Sequence, residues 1–283
     1  MKIKLQKYHG LGNDYLVFDP NRNEGKLTES QIRKICNRNF GVGSDGILIG
    51  PIWKMNKLSV RIMNPDGSEA EKSGNGVRIF AKYLKDAGYI QKKEFTLSTV
   101  GGDVHITYLN ERGTKLRAFM GNVNFFSENI PVAGGNREVI NEPMEFAGEV
   151  YSVTCASIGN PHCVIPLEHI SKELVCQLGP LIENAEQFPN RINVQLLEVM
   201  DRNNIRIEIY ERGAGYTLAS GSSSCAAASV AYRLGLADCK MTVHMPGGTL
   251  DIEIDENENV YMTGPVASIG DIVLSSEFLE ELY

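Results

Sequence analysis

The chain has 283 residues, 42% of them hydrophobic and 22% charged, and its 28 basic and 35 acidic side chains leave a net charge of −7. This is the composition of an ordinary globular chain long enough for two domains. It argues against a nucleic-acid partner, and the apolar runs are of strand length, too short for a membrane-crossing helix.

Met1 to Lys7 is charged and followed by no apolar signal region, so it reads as an edge strand of a cytoplasmic protein. Tyr15 to Phe18, Ile47 to Ile49 and the alternating Leu58 to Met63 suit strands. Gly76 to Ala87 has helical spacing, with Val77, Phe80, Ala81 and Leu84 on one face and Gly88 as its stop. Phe95 to Thr99, Val104 to Tyr108 and Leu116 to Met120 read as strands, the first two joined by a turn at Gly101-Gly102-Asp103. The second half repeats this order. Cys163 to Pro166, Ile192 to Glu198 and Ile205 to Tyr210 suit strands, Glu173 to Glu183 a surface helix, and Ser223 to Leu234 an alanine-rich helix stopped by Gly235. Met241 to His244 and Leu250 to Ile254 form a late hairpin around Pro246-Gly247-Gly248. Many strands with one helix among them in each half suggest an antiparallel sheet wrapped around its helix rather than a βαβ series.

The halves also match residue by residue. Ser73-Gly74-Asn75-Gly76 and Ser220-Gly221-Ser222-Ser223 each run from a small-residue turn into a helix, and Ser220 lies 147 positions after Ser73. At the same offset Gly12-Asn13 meets Gly159-Asn160, Asn64 meets Glu211, and Gly88 meets Gly235. The chain therefore reads as an internal duplication: residues 1–120 with 265–283 form one domain and residues 121–264 the other. Two equivalent turns facing each other would set one hydroxyl on each side of a bound molecule, a geometry suited to chemistry on both faces of one carbon.

A helix start preceded by small residues exposes unpaired N–H groups that bind anions. Serine at that position is also a common cap, and for either motif alone both readings stand. Asn13, Asn64, Asn160 and Asn193 lie in loops beside strand ends, where asparagine also forms turns. Glu211-Arg212 suits the two charges of an amino-acid head group, the arginine taking the carboxylate as a bidentate pair, and equally suits a surface ion pair. His162 is either a base or a residue that holds its loop. The six cysteines, Cys36, Cys155, Cys163, Cys176, Cys225 and Cys239, have no CxxC spacing and read as reduced thiols. No metal-ligand spacing appears among the histidines.

The strings His9-Gly-Leu-Gly-Asn13-Asp-Tyr, Gly41-Val-Gly-Ser-Asp45-Gly, Asn64-Pro-Asp-Gly-Ser-Glu69, Ser73-Gly-Asn-Gly76, Gly159-Asn-Pro-His-Cys163, Arg191-Ile-Asn193 and Glu211-Arg-Gly-Ala-Gly215 resemble diaminopimelate epimerase, in that family's order from residue 9 to about 230. The resemblance implies an α/β (α+β) fold of two pseudo-symmetric domains, each a barrel-like antiparallel sheet around a central helix, with the active site in the cleft between them. It implies a cofactor-independent interconversion of LL- and meso-2,6-diaminopimelate by two-base proton transfer at Cα, on the route to lysine and peptidoglycan. No metal, nucleotide, pyridoxal phosphate or flavin is implied; the partner is a small amino acid, and a homodimer is the family expectation. By motif, backbone N–H groups at Gly74-Asn75 and Gly221-Ser222 would hold the α-carboxylate, Asn13 would line the reacting end, and Asn64, Asn160, Asn193, Glu211 and Arg212 would hold the distal end.

The departures fall on the chemistry. Ser73 and Ser220 stand where the family pattern has its two acid/base cysteines, and Tyr216 stands in place of a glutamate. A serine hydroxyl is far less acidic than a thiol, so unassisted it is a poor base. Cys225, five residues past Ser220, has no cysteine counterpart in the first repeat. The serines could be activated by a neighbour such as His162, or could have been introduced to trap substrate. Alternatively the chain acts on another amino acid as an isomerase or dehydratase, or only binds its ligand.

Overall fold

The structure, a computed structural model, describes residues 2–54, 56–71 and 73–282. The chain divides into two compact units, Met1–Ala118 with Gly264–Tyr283, and Phe119–Thr263.

The first unit opens with the hairpin β1 (Lys4–Gly10) and β2 (Asn13–Phe18), followed by α1 (Glu29–Cys36), β3 (Ile47–Lys54), β4 (Lys57–Met63) and the short β5 (Glu69–Ala70). Then come α2 (Gly74–Asp86), β6 (Glu94–Thr99), β7 (Gly102–Tyr108) and β8 (Lys115–Asn122). The second unit contains β9 (Glu142–Phe146), β10 (Glu149–Ser157), β11 (Pro161–Pro166), α3 (Lys172–Glu183), β12 (Asn193–Asp201), β13 (Asn204–Glu211) and β14 (Gly215–Thr217). It continues with α4 (Gly221–Arg233), β15 (Lys240–Met245), β16 (Gly248–Ile254) and β17 (Asn259–Pro265). The last elements, β18 (Ala267–Val273) and α5 (Ser276–Leu282), return to the first unit.

Each unit has the same wiring. In the first, β1 pairs antiparallel with β2, β3 with β4 and β6 with β7, while β2–β3 and β4–β6 are parallel. In the second, β10–β11, β12–β13 and β15–β16 are antiparallel, while β11–β12 and β13–β15 are parallel. The sheet is thus mainly antiparallel with two parallel junctions per unit. Each junction falls where a helix intervenes, because parallel neighbours need a crossover connection.

α2 packs against β1, β2, β3, β7 and β18, and α4 against β10 to β13, β15 and β16. Every residue of α2 from Gly74 to Leu84 is buried, and so is every residue of α4 from Ser223 to Ala231. Seven of the nine residues of that second stretch are alanine or serine, so the backbones of sheet and helix approach closely all round. Gly88 and Gly235, with φ of +80° and +70°, end these helices in the left-handed conformation that glycine adopts without strain. The outer face of the first sheet is covered by α1 and α5 through Ile32, Ile35, Leu279 and Leu282. Strands covered on both faces need apolar residues at successive positions, which is why Leu16, Val17 and Phe18 form an unbroken buried run.

One strand expectation changes. The segment read as an edge strand is paired on both sides, to β2 and to β18, so its alternating charges belong to a central strand. The sequence signal was misleading because Lys7 is occupied by an ion pair with Asp14 rather than by solvent. No helix among the described residues is long and apolar enough to cross a membrane. The six cysteines form no disulfide.

Because Ala227 is fully buried on the helix that the sheet surrounds, Ala227→Leu overpacks it. Urea unfolding should show a loss of about 1–3 kcal/mol, while Tyr232→Ala at the exposed end of α4 should change far less.

Candidate active site: two capped helix starts

The two serine turns are built alike. Ser73 caps α2 with φ −136° and ψ 120°, and Ser220 caps α4 with φ −138° and ψ 127°. Ser73 Oγ accepts from the Gly76 N–H at 3.0 Å, and Ser220 Oγ from the Ser223 N–H at 3.3 Å. Neither helix has an acidic residue in its first turn, so the positive end of each dipole is left for an outside anion.

Behind each cap lies an equivalent side-chain pair. In the first unit the Asn75 amide donates to Asn13 Oδ1 at 3.1 Å; in the second the Asn160 amide donates to Ser222 Oγ at 3.3 Å, and both pairs span 62 residues. Asn13 is fixed at the start of β2, where Leu11 and Gly12, with φ of 59° and 87°, make the two-residue hairpin turn. Its own amide donates to Asp45 at 2.9 Å. Arg38 bridges Asp45 and Asp14 at 2.6 and 2.7 Å, and Lys7 closes on Asp14 at 2.8 Å. The side-chain bonds from Lys7 and Arg38 hold the Asp14 carboxyl below its ordinary range against the opposing effect of burial, which is the largest single influence. Asn75 Oδ1 in turn accepts from Arg78 at 2.8 Å, and the same guanidinium reaches the Gly74 carbonyl at 3.3 Å. Arg78 is fully buried, curled back toward the start of its own helix.

The remaining residues of the second unit converge as well. The Asn193 amide donates to the Pro161 carbonyl at 2.8 Å, and its Oδ1 accepts from the Arg212 N–H at 3.0 Å. This ties the loop after Asn160 to the turn that carries Glu211 and Arg212. Glu211 accepts from Thr217 at 3.0 Å, and the Arg212 guanidinium reaches the Asn190 carbonyl at 3.2 Å while staying exposed. Glu183 braces the same turn, accepting from Arg191 at 2.9 Å and from the Gly213 N–H at 2.8 Å. Tyr216 turns its hydroxyl to Glu208 at 3.0 Å. Asn64 stands apart in the turn after β4, donating to Ser68 at 2.9 Å.

His162 lies near the start of β11. The ring is fully buried, with Nε2 3.0 Å from Asn160 Oδ1 and Nδ1 3.3 Å from Gln195 Oε1, and Gln195 donates onward to Ser223 at 3.0 Å. Burial pushes its pKa down to about 3, so the ring is neutral at pH 7. A neutral ring donates through one nitrogen only, so the tautomer decides which of the two contacts carries the proton. Both ring nitrogens are engaged away from Ser220.

Sequence reading gave no role to Tyr15, Arg38, Asp45, Arg78 or Gln195. The repeat offset held a signal for two of them, because it aligns Tyr15 with His162 and Arg78 with Cys225. Tyr15 directs its hydroxyl to Ser73 Oγ at 3.4 Å.

A family pattern described as Diaminopimelate epimerase matches residues 5–126 and 154–269. A relative named diaminopimelate epimerase 2 from a Nostoc species is 50% identical over 97% of this chain and 96% of its own length. A diaminopimelate epimerase from Moorella thermoacetica is 39% identical over 93% and 96%. Among solved structures, a hydroxyproline epimerase from Agrobacterium vitis superposes with a TM-score of 0.71 at 13% identity, covering 97% of this chain and 93% of that one. A probable proline racemase from Agrobacterium radiobacter gives 0.67 at 14% over the same shares. At those identities the likeness establishes the fold alone.

The ring of His162 sets a pH dependence. In the folded chain it takes a proton only near pH 3, whereas in the unfolded chain it does so near 6.5. Between these values the unfolded state binds more protons, so stability falls as pH drops through 6.5. Urea unfolding at pH 7 and pH 5 should show the unmodified chain losing about 2 kcal/mol more across that step than His162→Gln.

Proposed function

The chain belongs to the diaminopimelate epimerase family, and from that premise we propose that it is a cofactor-independent isomerase interconverting LL- and meso-2,6-diaminopimelate. The observation that carries the reading is the matched pair of serine-capped helix starts, each with no acidic side chain in its first turn.

In this reading one serine oxygen, as its alkoxide, takes the proton from Cα and becomes a hydroxyl. The other serine hydroxyl gives its proton to the opposite face of Cα and becomes the alkoxide. One C–H bond breaks, one forms, and the reverse reaction resets the pair. The carbanion between these steps needs its charge spread into the carboxylate. The N–H groups at Gly74-Asn75 and Gly221-Ser222 serve that purpose, since donors aimed where charge develops lower the barrier most. Asn13 positions the reacting end, and its tie to Asp45 keeps its amide from turning. The distal ammonium and carboxylate fall to Asn64, Asn160, Asn193, Glu211 and Arg212. Arg212 suits this role because its guanidinium is exposed while its backbone is anchored to Asn193.

Serine is the weak part of this machinery. A thiol has a pKa of about 8.5 that a helix start lowers further, so cysteine is partly ionised where serine is not. The test is proton NMR of LL-diaminopimelate in D2O. The unmodified chain should exchange the Cα proton slowly and form the meso isomer. Ser73→Cys/Ser220→Cys should raise the rate by about 10²–10⁴-fold. Absence of exchange in both proteins would remove diaminopimelate as the substrate.

A further inference from the structure

Ser73 and Ser220 are not equivalent as oxyanions. Ser73 Oγ accepts the Gly76 N–H at 3.0 Å and also the Tyr15 hydroxyl at 3.4 Å. Two lone-pair directions are thereby filled, and the Ser73 proton must point to a third. Ser220 Oγ accepts a longer bond from Ser223, at 3.3 Å, and has the Ser222 hydroxyl 3.5 Å away. His162 takes Tyr15's place in the second unit and turns its nitrogens onto Asn160 and Gln195.

The backbone is shaped around the Tyr15 ring. The ring is 6% exposed on β2, and Gly46 passes so close that a Cβ there would lie 2.7 Å from Tyr15 Cε1 and 2.4 Å from the Met63 carbonyl. Any larger residue at position 46 would displace the ring and carry its hydroxyl from Ser73. A contact of 3.4 Å is long for O–H···O, and such contacts in ligand-free sites tighten once charge appears on the acceptor.

We propose that Tyr15 is a positioning residue for the acid/base chemistry: its hydroxyl, together with the Gly76 N–H, favours negative charge developing on the Ser73 oxygen over the Ser220 oxygen, which makes Ser73 the more acidic member of the pair. This rests on the assignment of Ser73 and Ser220 as the acid/base pair. A hydrogen bond to the charged form favours that form, and a fixed donor costs no reorganisation when the charge develops. Five charged groups of the surrounding elements, and a buried thiol, are held by other contacts. Lys7 of β1 pairs with Asp14 of β2, Arg38 with Asp14 and Asp45, and Arg78 of α2 bonds Asn75 and Gly74. The Cys36 thiol of α1, pushed up by burial, takes the Ser44 hydroxyl. None of these contacts runs through Ser73 Oγ, and the thiol at position 220 serves as the internal control for the loss of the Tyr15 hydroxyl.

The test uses single Ser73→Cys and Ser220→Cys proteins, each with and without Tyr15→Phe. Iodoacetamide alkylation at the introduced thiol is followed against pH, with mass spectrometry locating the adduct. Tyr15→Phe should raise the apparent pKa of the thiol at position 73 by about one unit, slowing its alkylation near neutrality about tenfold, and leave the thiol at position 220 unmoved. Identical profiles at position 73 with Tyr15 and Phe would overturn the proposal. So would equal displacement at both positions, since that is the signature of general loosening. Alkylation needs no substrate, so a missing NMR exchange overturns the epimerase reading, whereas an unshifted alkylation profile overturns the role of Tyr15.

Discussion

A helix enclosed by a sheet has few places to meet solvent or a ligand. Once β1 to β3, β7 and β18 cover α2, and β10 to β13, β15 and β16 cover α4, only the terminal turns remain open. The first turn of any helix carries N–H groups with no partner inside the helix. Serine capping satisfies one and leaves others directed outward. The chemistry of each unit is thus concentrated at the start of its central helix by the same burial that stabilises the unit. The alanine and serine side chains of α4 follow from this constraint, since larger ones would force the strands apart.

Much of this was legible in the sequence because it depends on local chemistry. Helix starts were readable at Ser73 and Ser220, stops at Gly88 and Gly235, and strands from short apolar runs. The 147-residue offset exposed the duplication without any structure. Illegible were features set by partners distant in sequence. β18 contributes a strand with few buried side chains and is recognisable only by its pairing to β1. The parallel junctions could not be read from alternation, because periodicity carries no direction. Among site residues, the asparagines were visible as loop residues beside strand ends, but their anchors were not. Arg38 and Asp45 lie in a loop whose composition looks like ordinary surface, and only folding brings them onto Asn13. Arg78 sat in a helical pattern where a cation is expected to face solvent.

The duplication preserves backbone geometry more strictly than side chains. Cap dihedrals agree within a few degrees, and the Asn13–Asn75 and Asn160–Ser222 pairs share their spacing. Around them the two copies have diverged in polarity. Arg78 is a buried cation where Cys225 is a buried thiol, and Tyr15 offers a hydroxyl where His162 offers a neutral ring. A reaction that takes a proton on one face and returns it on the other has no need of identical partners. Divergence behind the caps can set the two oxygens to different tasks while the caps keep them in equivalent frames.

The return of β18 and α5 to the first unit bears on the order in which a growing chain acquires structure. Residues 119–263 emerge as one contiguous stretch, whereas β1 waits for β18, which is made after that whole stretch. On the ribosome the second unit can therefore be complete while the first still shows an unpaired strand flank. Domains usually mature from the N-terminus onward during synthesis. Here the duplicated plan inverts that sequence, and the nascent first unit has an open sheet edge until β18 has been made.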